Sequence, residues 1–398
     1  MRRIHIGHHF YGAGNAGDDL MLAGFLSLCG SRSQRPEARS QRPEDGGQKP
    51  EAGGQRPEDG GQRPPAFVPH RGTTARCSAS RGRLADSSGG IEISCCTPFD
   101  REALAVRFPE VIWLPYENAA RREAIEQCDL WLGLGGSPWQ SAVSRWFIDH
   151  LEQERRWCAE AGKPMRFLGV GGQDAAAYEL PETKALCEQA EGIWTRDDAT
   201  AEALGKAVSG ARVRKGAELA HVWLEMNPPG PAKPGRLVSV LNFDFSDWPG
   251  MEAALRALET LPVQERIWLA QESRALPGAE LQLHAQLPDR ERARWTLCRA
   301  ERPSVLQTTN EWPCGEWQLG SRFHATVMAA WAGSKAVVIS TNEKLHRVAA
   351  ELGYPALPPD ADMSGLAKLM MDSQAPERAK LVELAALARN ACEECLAG

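Results

Sequence analysis

Nowhere in its 398 residues does the chain carry an apolar run of the roughly 18 residues needed to cross a bilayer. It also lacks a basic excess. Against 46 Lys and Arg stand 52 Asp and Glu, a formal charge of −6, which excludes a broad phosphate-backbone surface for nucleic acid. No HExxH pair offers a catalytic zinc site, and no GxSxG turn presents a serine nucleophile. The 11 cysteines are scattered; only Cys392 and Cys395 have CxxC spacing, and no second pair completes a four-ligand metal site. The expectation is reduced cysteines serving as small buried hydrophobes in a cytoplasmic protein with no metal. Met1-Arg-Arg-Ile-His-Ile-Gly7 leads straight into a strand-like stretch rather than a secretory signal.

What is present is an ordinary globular composition, 42% hydrophobic and 25% charged, at a length that predicts about two domains. One segment stands apart. Gln34, Gln41, Gln48, Gln55 and Gln62 recur every seven residues, each opening a unit like Gln-Arg-Pro-Glu-Asp-Gly-Gly. A coiled-coil heptad would need apolar a and d positions, and between Ser31 and Pro65 only Ala38 and Ala52 are apolar. With Pro and Gly interrupting it and no core to offset ordering entropy, residues 31–90 are expected to be a disordered, low-complexity insertion.

Around that tract, short apolar strands alternate with helices. Strands are expected at Arg3–Gly7, Ile91–Cys96, Val111–Leu114, Leu130–Gly133, Arg166–Val170 and Gly192–Thr195. Helices are expected at Asp18–Leu28, from Arg101, and at Ala119–Cys128, Gln140–Ala161, Lys184–Ala190 and Ala199–Leu204. Four prolines between Asn227 and Gly235 read as a stiff linker. The alternation then restarts with strands Leu237–Leu241, Arg266–Ala270, Ser304–Gln307 and Ala336–Ser340, and helices Gly250–Leu261 and Arg322–Ala332. The fold class is therefore α/β, with two Rossmann-like doubly wound domains facing a cleft. They span residues 1–226 and 236–375, followed by a C-terminal helix within 376–398 that lies back across the first domain.

Open parallel sheets bind ligands beyond the carboxyl ends of their strands, where glycine-rich turns aim N–H groups at an anion. Three such turns occur: Tyr11-Gly-Ala-Gly-Asn15-Ala-Gly17-Asp18-Asp19, then Gly133-Leu-Gly135-Gly136-Ser137, then Gly169-Val-Gly-Gly-Gln173. The first contains GxGxxG at Gly12, Gly14 and Gly17. The acidic partner of a dinucleotide site would fall inside the repeat tract, which counts against a nicotinamide enzyme. Asp18 can equally cap the following helix. In the second half, Gly320-Ser-Arg322-Phe-His324 is read as a helix start, with Ser321 as its cap. An arginine fork and a positive helix end there favour a carboxylate or phosphate. Arg196 and Lys344 follow two other strands, so three cations are expected on the ligand side. Each of these, alone, is also what a solvated surface charge or a packed histidine looks like. His8 and His9 precede the first turn, and His221 falls near the domain edge.

Taken in order, Tyr11-Gly-x-Gly-Asn-x-Gly-Asp-Asp, Gly135-Gly-Ser137, Gly169-Val-Gly-Gly, Thr195-Arg-Asp-Asp-Ala-Thr200, Gly320-Ser-Arg-Phe-His and Lys344 resemble the polysaccharide pyruvyl transferase family. The resemblance implies a fold similar to the GT-B glycosyltransferases and transfer of a pyruvyl ketal from phosphoenolpyruvate to a sugar of a cell-surface polysaccharide. It implies no cofactor beyond that donor substrate. It also implies that Arg196, Arg322 and His324 hold the donor, with Lys344 a further basic position. Ketal formation needs a proton at the donor's methylene carbon, and His324 is the expected acid, with Arg322 and Arg196 clamping the carboxylate and phosphate. The chain departs from the family at Glu218, where an Asp is usual, at Thr200 for Ser, and at Asn242 for Arg. The competing readings are a GT-B-type glycosyltransferase using a nucleotide sugar and a noncatalytic carbohydrate- or anion-binding relative.

Overall fold

The computed structural model of the chain describes residues 1–7, 11, 14–30, 90–141, 145–173, 175–242, 251–272, 279–299 and 311–397. Most of the repeat tract (31–89), His8, His9, Gly12, Gly250 and the expected strand Ser304–Gln307 lie outside these residues. Among the described residues, seven parallel strands form a first sheet. They are β1 (Arg2–Gly7), β2 (Ile91–Thr97), β3 (Val111–Pro115), β4 (Leu130–Leu134), β5 (Met165–Val170), β6 (Gly192–Thr195) and β7 (Val213–Lys215), in spatial order β3-β2-β1-β4-β5-β6-β7. Six more form a second: β8 (Lys233–Val240), β9 (Glu265–Ala270), β10 (Thr296–Arg299), β11 (Gly315–Gly320), β12 (Lys335–Ile339) and β13 (Ala356–Leu357), in order β10-β9-β8-β11-β12-β13.

The helices on the first sheet are α1 (Ala16–Gly30), α2 (Arg101–Arg107), α3 (Asn118–Gln127), α4 (Trp146–Glu160), α5 (Pro181–Gln189), α6 (Asp198–Ala207) and α7 (Ala220–Met226). The second part of the chain carries α8 (Met251–Ala257), α9 (Glu280–Gln286), α10 (Asp289–Arg292), α11 (Phe323–Ala332), α12 (Glu343–Leu352), α13 (Leu366–Asp372) and α14 (Arg378–Ala397). Every residue of β4 and of β5 is buried, as a parallel sheet covered on both faces demands. Both sheets thus have the doubly wound 3-2-1-4-5-6 order, and the fold is of the GT-B type.

The structure corrects the sequence reading at several points. β8 begins at Lys233, inside the expected linker; Pro234 is tolerated because it enters near the strand's first residue. The helix expected from Gln140 starts at Trp146, because Trp139 is held extended in a bridge to Gly172. β7, β10, β11 and the two-residue β13 were not anticipated. β11 reads Gly-Glu-Trp-Gln-Leu-Gly, too polar to stand out, yet Gln318 is buried with its Nε2 donating to Ala325 O at 3.0 Å.

The two lobes share a core. Ala16 and Leu20 of α1 and Ala220, Val222 and Leu224 of α7 pack in one cluster with Val238, Val240, Val327 and Val348 of the second lobe. α14 returns across the first lobe: Arg166 Nη1 donates to Cys395 O at 2.6 Å, and Arg214 reaches Glu394 at 2.9 Å. Cys392 and Cys395 are buried on its inner face, and of the described cysteines only Cys29 and Cys298 are even half-exposed. Among the described residues no helix is long and apolar enough to cross a membrane.

Candidate functional site

In each sheet the strand order reverses once, between β1 and β4 and between β8 and β11. A crevice opens at such a switch point beyond the strand ends. Tyr11, Asn15 and the Gly135–Ser137 turn sit at the first; Asn242, Ser321, Arg322 and His324 sit at the second. The sequence-predicted residues therefore gather at two switch points, and contacts between the lobes bring these together.

The contact runs through α1 and α11. A methyl group on Gly17 would lie 1.9 Å from His324 Nδ1, so only glycine lets the imidazole seat against this turn. Asn15 fixes the turn: its Oδ1 accepts from Gly17 N at 3.0 Å and from Gln271 Nε2 of the second lobe at 3.1 Å. Asn15, rather than Asp18, thus takes the orphan N–H at the head of α1. Asp18 is half-buried in the first turn of that helix. Tyr11 is fully buried and its hydroxyl donates to Leu134 O at 3.0 Å, tying the turn to β4. It is a strut of the site rather than a group offered to a substrate.

Gly135 and Gly136 both adopt positive φ, 63° and 74°, a backbone open to glycine at little cost. They deliver Ser137, whose Oγ accepts from Arg196 Nη2 at 2.9 Å. Arg196 is buried. Its guanidinium stacks 4.5 Å from the Phe323 ring centroid, across the lobe boundary, and lies 3.8 Å from Glu218. Lys344 approaches the same ring, 5.9 Å from its centroid.

Glu218, fully buried, faces His324 with Oε1 3.7 Å from Nε2, an ion-pair rather than a hydrogen-bond separation. Burial pushes its carboxyl up, but His324, Arg196 and His221 outweigh that and hold it below the usual carboxylate range. Glu218 is therefore the anion at the centre of the cluster. Among the described residues, Arg196 Nε, Glu218 Oε2 and His324 Nε2 are buried and have no hydrogen-bond partner. Three such atoms in one place are unusual, because buried polar groups are nearly always satisfied.

Two expectations fail here. Ser321 does not cap α11: its Oγ donates to Asn242 Oδ1 and accepts from Asn242 N, both at 3.0 Å, and Arg322 occupies the cap position without a side-chain cap bond. Asn242 thus locks the strand end. Arg322, expected to offer its fork to an anionic ligand, has carboxylates of its own chain beside it. Its Nε donates to Glu280 at 2.5 Å and its Nη2 to Glu272 at 3.2 Å, so two carboxylates neutralise it. Those acids belong to stretches that showed no motif.

Arg347 was also missed. It lies one turn beyond Lys344, and its Nη1 donates to Thr200 Oγ1 at 3.1 Å and approaches Tyr178 OH at 3.3 Å across the boundary. Its place three residues after a predicted basic position was the available signal.

No family model and no curated protein matches the sequence. Solved structures do match in fold. The chain resembles Staphylococcus aureus MnaA in its UDP co-structure, with a TM-score of 0.54 and 9% identity over 99% of this chain and 94% of that one. It resembles the Neisseria meningitidis UDP-GlcNAc 2-epimerase bound to UDP-GlcNAc at 0.50 and 10% identity, over 99% and 98%. It resembles Anabaena HepE in complex with UDP at 0.50 and 11% identity, over 99% and 95%. At these identities the likeness is one of fold.

Proposed function

We propose that the chain is a carbohydrate-processing enzyme that transfers a group from a phosphate-bearing donor to a saccharide, and that the donor is phosphoenolpyruvate. The observation that carries this is the Arg196–Glu218–His324 cluster: buried, unsatisfied polar atoms meeting between both switch points, beside the N-terminus of α11. A compact, multiply negative donor matches Arg196, Lys344 and the helix end. With Arg322 held by Glu272 and Glu280, the clamp falls to Arg196.

In this scheme His324 gives a proton to the donor's methylene carbon, which becomes a methyl group and leaves cationic character at C2. One sugar hydroxyl attacks C2 as the C–O bond to phosphate breaks, and a second hydroxyl closes the ketal. Two hydroxyl protons are released, one returning to His324 and one leaving with phosphate. Glu218 holds the imidazole in place.

A second reading, a nucleotide-sugar donor, is favoured by the full-length fold likeness to proteins whose structures contain UDP or UDP-GlcNAc. Calorimetric titration of the full chain with phosphoenolpyruvate and with UDP-N-acetylglucosamine separates the two. Heat from phosphoenolpyruvate that falls at least tenfold in affinity in Arg196→Ala is the expected result. Heat from the nucleotide sugar alone overturns the pyruvyl reading. Near-normal turnover in His324→Ala would remove the acid role.

A further inference from the structure

A column of aromatic rings rises from the first sheet toward the ligand side. On α4, Trp146, His150 and Glu154 are spaced four apart and share one face. Glu154 marks the level of the strand ends, because a methyl group on Gly7, the last residue of β1, would lie 2.5 Å from its Oε2. α4 follows the carboxyl end of β4. Going back eight residues to Trp146 therefore climbs about 12 Å beyond the strands, on the side where the crevice lies.

The column is tightly built. The Trp146 and His150 rings stack at 4.9 Å with 15° between their planes, and Tyr116, immediately after β3, stacks on His150 at 5.4 Å and 23°. Below, Arg121 Nη2 lies 2.8 Å from both His150 Nε2 and Glu154 Oε1, and its guanidinium sits 4.9 Å from the Tyr116 ring centroid. Arg121 and Glu154 are almost fully buried, 3% and 2% exposed. Burying such a pair costs desolvation free energy that a well-packed apolar pair would not. At the outer end of this stack, Trp146 is 40% exposed.

We propose that Trp146, held rigid by His150 and Tyr116, is a binding platform for a pyranose ring, the saccharide side of the reaction proposed above, on which its assignment as acceptor rests. The carbon-bound hydrogens of a sugar face pack on a flat, electron-rich indole, and an amphipathic aromatic at a wet boundary suits that contact. A preorganised ring loses little entropy on binding.

The test is saturation-transfer NMR on the full chain with methyl α-D-glucoside, methyl β-D-galactoside and methyl β-D-mannoside. At least one glycoside should receive saturation through its ring protons. Its affinity should fall about tenfold in Trp146→Ala and stay within about twofold in Trp146→Phe, a size expected for one aromatic contact. No transfer to any glycoside in the wild type, or equal binding by folded Trp146→Ala, overturns the platform. Donor titrations on the same proteins keep the two ideas apart. Glycoside contact without donor heat removes the transferase reading and leaves the platform, whereas donor heat without glycoside contact removes the platform alone.

Discussion

At Gly17 a single methyl group decides whether the site can assemble. The close seat of His324 against this position predicts that Gly17→Ala displaces the imidazole and lowers turnover about 10²-fold, as misplacement by about an ångström does. The check is phosphate release from phosphoenolpyruvate, set beside a thermal melt showing that the variant folds. His221 allows a pH prediction. Trp331 Nε1 donates to its Nδ1 at 2.9 Å, which requires that nitrogen unprotonated, and burial, partly offset by Glu218, lowers its pKa from 6.5 to about 4. A folded value below the unfolded one means the stability is fully present above pH 6.5 and is lost as pH falls toward 4. Urea unfolding between pH 7.5 and 4 should show a loss on the order of 3 kcal/mol from this group, reduced in His221→Gln. An unchanged pH profile in the variant would remove His221 as the cause.

Among the elements, α12 brings both Lys344 and Arg347 to the boundary, and Asn342 starts it by accepting from Leu345 N at 3.1 Å. Asn342→Ala should cost about 1 kcal/mol in urea unfolding. The elements also show what was legible beforehand. Strands buried on both faces, such as Leu130–Leu134, announce themselves as apolar runs, and the glycine turns after β1 and β4 mark the first switch point. The basic residues at strand ends were visible too. Their partners were not: whether Arg322 faces a ligand or the carboxylates of Glu272 and Glu280 depends on where α9 folds back, and no local pattern encodes that. β11 stayed hidden because Glu316 and Gln318 interrupt its apolar signal, though Gln318 is buried and serves α11.

For the whole molecule, the shared core predicts one cooperative transition rather than two. Leu381 of α14, 1% exposed, packs in the cluster that both lobes build. Leu381→Ala should cost about 2–5 kcal/mol and lower a single melting transition seen alike by far-UV and tryptophan signals. Two separated transitions would mean the lobes unfold independently. The return of α14 has a mechanical consequence. The backbone passes between the lobes once after α7 and again after α13, so two tethers join them. A single tether acts as a ball joint, whereas a pair acts as a door, leaving rotation about the line through both and resisting twist. Any breathing of the crevice is thereby confined to one swing, along which Gly17 and His324 part and meet again face to face.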